Sequence, residues 1–147
     1  MQKKLTGWLK LLIIILGPLQ FGGAARSLGS VSDSFRPYLA DYPSLPMAIM
    51  VYQLLMGTSI AVWDYTAWVL FRGEPGTLKT AQTTFAAGAA LRIVGSFSVI
   101  IFGGLPPDFA NRMLQRTLPT AAGSVLMCAA WYLYLIRSER VREIYAV

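Results

Sequence analysis

The stretch LPMAIMVYQLLMGTSIAVWDYTAWVLF, residues 45–71, decides how this chain is read. It is long and apolar enough to cross a bilayer as a helix, which takes roughly 20 residues. One charge, Asp64, lies inside it. A bare charge in the bilayer core costs about 3 kcal/mol or more, so it faces protein or water and finds a partner. The next apolar run, TAQTTFAAGAALRIVGSFSVIIFG at 80–103, also carries one charge, Arg92.

The depths of the two suit a pair. At 1.5 Å per residue, Asp64 sits about 10 Å and Arg92 about 18 Å from the ends joined by the short 72–79 connection. Side chains lean toward the N-terminus of their own helix, so in antiparallel neighbours these two lean toward each other. A long arginine can close the gap and offers bidentate geometry. The pair has two readings: a structural one that sets helix register, and a charged site in a water-filled cavity.

Two further apolar runs flank this core, at 5–25 and 117–136. With 55% hydrophobic residues in 147, the composition is that of an integral membrane protein of one domain, 1–147. The expected fold is all-α, with four transmembrane helices in a bundle. The first run also mimics a secretory signal, with Lys3 and Lys4, an apolar core and small residues at Gly23 and Ala25. Its length past Gly17-Pro18 favours a retained span.

Lysine and arginine divide unevenly. Eight (Lys3, Lys4, Lys10, Arg72, Lys79, Arg137, Arg140, Arg142) fall on one side, and four (Arg26, Arg36, Arg112, Arg116) on the other. The positive-inside rule then places both termini in the cytoplasm. The net charge of +6 reflects this bias and the anionic leaflet it faces. No basic face interleaved with aromatics emerges, so nucleic acid is not an expected partner.

The connection RGEPGTLK, 72–79, reads as a tight turn. The first loop, 26–44, carries Phe35, Tyr38, Leu39 and Tyr42 and suits the membrane–water boundary. The third opens with Pro106-Pro107-Asp108, a good helix start. Phe109, Met113 and Leu114 on one side then make it either a short amphipathic interfacial helix or an ordered loop. The tail from Arg137 reads as a continuation of the fourth helix that settles on the anionic surface.

Several chemistries lack their residues. There is no histidine, which removes haem ligation, imidazole relays and most zinc sites. The single cysteine, Cys128, reads as a small buried hydrophobe. No phosphate loop, nucleophile–base set or paired carboxylates occur, so no catalytic residues, metal or cofactor are expected.

At about 100° per residue, each run presents a small or polar stripe. Gly17 and Gln20 lie on the first, and Gln53, Gly57 and Asp64 on the second. Ala81, Phe85, Gly88, Arg92, Ser96 and Gly103 line the third; Thr117, Thr120, Ser124 and Cys128 line the fourth. Membrane helices pack through such residues, so these stripes form the expected interior, with Gln20, Gln53, Thr120 and Ser124 as its polar members. Trp8, Trp63, Trp68 and Trp131 read as interface anchors. A stacking site for an aromatic ligand is the less common use.

Two short stretches carry a resemblance. Thr6-Gly7-Trp8-Leu9, before the first apolar core, and 138–145, SERVREIY, resemble the ends of the bacterial YdgK-like family of inner-membrane proteins. The resemblance implies four spans with both ends inside, and it brings no activity.

Functionally, the pattern suits a non-enzymatic accessory, assembly or regulatory subunit acting through helix packing. Ala87 on the third helix and Ala122 on the fourth are candidate contacts with a membrane-protein partner or a second copy, beside the lipid bilayer itself. The alternative is a small transporter, channel or lipid-handling protein built around Asp64 and Arg92.

Overall fold

The computed structural model describes residues 7–19, 30, 31 and 33–145, and among these every regular element is helical. Helix α1, Gly7–Ile14, continues as a wider π-helical segment, Ile15–Leu19, around Gly17-Pro18. Together they are about 20 Å long, short of the roughly 30 Å hydrocarbon layer. The rest of the expected first span, Gln20 included, lies outside the described residues.

Three helices are long and apolar enough to cross a membrane: α2 (Leu45–Arg72), α3 (Leu78–Phe102) and α4 (Pro107–Arg137). Helix α2 starts with Pro46 in its first turn, where a missing N–H is harmless, and stops at Gly73, whose φ of +61° is left-handed. The connection from there to α3 is a tight turn, and its end of the molecule is here termed the hairpin end. The opposite end is the loop end.

Helix α4 differs from expectation. Its amphipathic first turns do not form a separate helix; they run unbroken through Pro119 into the apolar segment. A hydrogen bond from Gln82 Nε2 to the Leu135 carbonyl (3.2 Å) fixes its register against α3. Counting nineteen residues from each brings Ile101 and Arg116 to one level, about 28 Å away. The remaining residues of α4, 107–115, project about 12 Å beyond the end of α3. Residues 103–106 climb that distance, with Gly104 at φ +62° and Pro106 extended. Pro119 deprives only the Gln115 carbonyl of its helical donor, at the level where α3 ends and solvation returns.

The tail also differs. At Ser138 the backbone turns extended, and α5, Glu139–Tyr145, folds back beneath the bundle. A straight continuation would leave Val141 and Tyr145 bare beyond the bilayer; folded back, both are fully buried. The Tyr145 hydroxyl donates to the Leu70 carbonyl (2.6 Å), and the Gly76 N–H donates to the Tyr145 carbonyl (3.4 Å). Arg142 caps the frayed end of α4 through the Ile136 carbonyl.

The main core sits at this hairpin end, where Leu9 and Leu12 of α1 and Leu16 of the π-helical segment join Leu70, Phe85, Leu135, Val141 and Tyr145. A second cluster at the loop end joins Leu45, Ile49 and Val99 to Phe35, Leu39, Tyr42 and Met113. The first loop thus covers the ends of α2 and α3, and Tyr38 packs on Phe109 of the projecting part of α4.

Candidate functional site

The α2–α3 hairpin is built around one large side chain and one missing one. Trp63 is almost completely buried, with its indole lying on Gly88, where an added Cβ would fall inside the ring. Its Nε1–H donates to the Phe85 carbonyl (3.1 Å), and its ring stacks on Phe85 at 5.9 Å. One turn toward the loop end, Ser59 donates to the Gly88 carbonyl (2.8 Å). One turn the other way, the Thr66 and Thr84 hydroxyls meet at 2.7 Å. Close approach through small and hydroxylic residues is how helices pair where water offers no drive. Trp63 is therefore interior, not the interface anchor that its sequence suggests; Tyr65 and Trp68 are exposed as anchors should be.

This packing rotates α2 relative to the expected stripe. Gln53, Gly57 and Asp64 are half-buried, while Ser59, Trp63, Thr66, Ala67 and Leu70 take the buried face. The reason is volume: an indole needs a hole, and Gly88 provides it. On α3, Ala81, Phe85 and Gly88 are buried as expected, whereas beyond Arg92 the buried line passes through Gly95, Ser98 and Val99 rather than Ser96.

Arg92 reaches back toward the hairpin end, with its guanidinium carbon 5.3 Å from the Trp63 ring centroid. A planar cation over an indole is a favourable arrangement in a low-dielectric setting. Asp64 follows Trp63 directly, a step of about 100° around α2.

Just beyond Arg92 toward the loop end, α2, α3 and α4 part to form an open cleft of about 260 Å³. Tyr52, Ser96, Val99, Arg116, Thr117 and Thr120 line it, beneath Val31, Phe35 and Met113. Ser96 donates its hydroxyl to the Arg92 carbonyl (2.8 Å), and Thr120 to that of Arg116 (3.3 Å). Sequence reasoning placed Thr120 and Ser124 in the interior. Thr120 is instead exposed within this cleft, and Ser124 is half-buried, bonded to the Thr120 carbonyl (2.9 Å). By sequence Arg116 is only a loop charge, because the apolar run starts at the next residue.

Ala87 and Ala122 both face outward. Among the described residues, no three His, Cys, Asp or Glu side chains come together as a metal site would require. In comparisons with known proteins, no family model, curated relative or solved structure matches this chain.

Proposed function

We propose that this protein is a non-enzymatic accessory or assembly subunit of the bacterial inner membrane, working through helix packing against another membrane protein. In this reading α1 and the residues after it complete a fourth span, and the hairpin end faces the cytoplasm. The similarity of its termini to the YdgK-like family supports the same topology. Asp64 and Arg92 compensate each other's charge inside the bundle, with the Trp63 ring beneath the guanidinium.

The observation that carries the proposal is the bareness of α4. Only 6% of its apolar segment is buried, against 22% and 28% for α2 and α3. Its outward face sets small residues, Ala122, Gly123, Ala129 and Ala130, among large ones, Leu118, Leu126 and Leu133, all of them exposed. A Cβ at Gly123 would meet nothing within 4 Å, so this glycine answers no need within the single chain. Small residues gain little against lipid but admit a helix backbone closely. Ala86, Ala87 and Ala90 extend the same character onto α3.

Ala122→Phe is expected to release the partner, or a second copy, in mild detergent while the chain stays helical and keeps its thermal midpoint. Native mass spectrometry reads the outcome, with Ala87→Leu as an independent variant. Wild-type protein running as a bare monomer from both native membranes and nanodiscs would sink the proposal.

Topology has its own test. In a Cys128→Ser background, Gln115→Cys should react with an impermeant thiol reagent in intact spheroplasts, and Thr77→Cys should react only after lysis. Labelling of Thr77→Cys in intact spheroplasts would invert the orientation.

A further inference from the structure

We propose that the cleft between α2, α3 and α4 binds one anionic phospholipid, with its phosphate at Arg116 and its glycerol esters against the hydroxyls below. This inference does not depend on the subunit reading, since it concerns a different surface.

The level of Arg116 is the first argument. The Gln82–Leu135 hydrogen bond sets a common height on α3 and α4, and Arg116 lies about 28 Å from it. The hydrocarbon layer is roughly 30 Å thick. A cation placed at its edge meets lipid phosphates, not acyl chains.

The lining below Arg116 comes next. Thr117, Thr120 and Ser96 lie about 2 to 8 Å deeper by their positions along the helices, at the depth of ester carbonyls rather than chain ends. Tyr52 approaches the same space from α2. Ser96 and Thr120 already give their protons to backbone carbonyls, which leaves Tyr52 and Thr117 as the hydroxyl donors for a ligand. Above them Val31, Phe35 and Met113 form an apolar roof.

Size and charge then select the ligand. Sites that engulf a whole small molecule measure roughly 300–1,000 Å³; at about 260 Å³ and open on one side, this cleft holds only part of its ligand. A phospholipid fits that description, because its chains can leave through the open side into the bilayer. The lining includes one cation and no carboxylate. A zwitterionic headgroup would find no partner for its ammonium, whereas an anionic one leaves nothing unmet.

The test is native mass spectrometry of the full chain in mild detergent, titrated with phosphatidylglycerol or phosphatidylethanolamine. One phosphatidylglycerol should be retained, with about tenfold preference over phosphatidylethanolamine, whose phosphate makes the same contact but whose ammonium is set against the Arg116 charge. Arg116→Gln should remove that preference, and Thr120→Phe, which fills the cleft from an exposed position, should abolish retention of either lipid. Arg112→Gln, outside the lining, should change neither. Circular dichroism confirms that the variants remain folded. Equal retention of the two lipids by the wild type, or undiminished retention by both cleft variants, overturns the proposal. Displacement of the lipid by excess inorganic phosphate would identify a free-anion site instead and overturn it equally.

Discussion

Gly88→Ala should lower stability in detergent by about 2–4 kcal/mol, a large effect for one methyl group. The added Cβ would lie inside the Trp63 indole, and the indole has little freedom to retreat. Phe85 stacks on it, the Phe85 carbonyl holds its Nε1–H, and Arg92 covers it. The helices must part instead. Overpacking of this kind costs about 1–3 kcal/mol, and each buried hydrogen bond lost adds about 1. The Ser59 bond to the Gly88 carbonyl is the first at risk. Denaturation followed by tryptophan fluorescence measures the change. Gly57→Ala and Gly123→Ala serve as controls, since neither Cβ would meet anything within 4 Å. Adding Trp63→Phe to Gly88→Ala should recover part of the loss, because the smaller ring vacates the contested space. An unchanged midpoint for Gly88→Ala would show that Trp63 does not set the helix separation.

Removing the anchor of the tail should cost as much. Tyr145→Ala deletes a fully buried ring together with its hydrogen bond to the Leu70 carbonyl. Emptying an aromatic site of this kind costs about 3–5 kcal/mol. Tyr145→Phe keeps the ring and should lose about 1 kcal/mol at neutral pH. Alkali separates the two effects. Burial holds the Tyr145 phenol well above its ordinary value of 10.0. The unfolded chain therefore ionises first, and the stabilisation is fully present below pH 10 and shrinks as pH rises beyond it. Wild-type stability should fall through that window more steeply than that of Tyr145→Phe. Parallel pH profiles for the two would mean that the hydroxyl is not held as described.

Much of the architecture is written plainly in the apolar runs. The bounds of α2 follow from Pro46 and Gly73, whose backbone demands are local and readable. The unity of α4 is not, because Pro106-Pro107 announces a helix and Pro119 announces a break in the same language. Only the level of Pro119 relative to α3 shows the break to be cheap. The tail was legible as amphipathic through Val141, Ile144 and Tyr145, yet the direction of its apolar face depends on a core 70 residues distant. The two charges within apolar runs were legible at once. The role of Trp63 was not: it reads as one more boundary aromatic, and its fit to Gly88 is a matter of shape that periodicity does not carry. The cleft escaped for a related reason: Ser96, Thr117 and Thr120 stand on legible stripes, but that three helices part between them is a matter of packing no single stripe carries.

The core at the hairpin end has a consequence in time. It joins Leu9 and Leu12 to Val141 and Tyr145, residues made early and late on the ribosome. Helix α2 can enter the membrane as it emerges, yet the seam it shares with α1 stays open until Tyr145 has been made. Closure of this core thus waits on α5. A chain that stalls or is clipped before α5 carries its spanning helices but leaves a greasy groove unsealed, a visible mark of incompleteness for a quality-control protease.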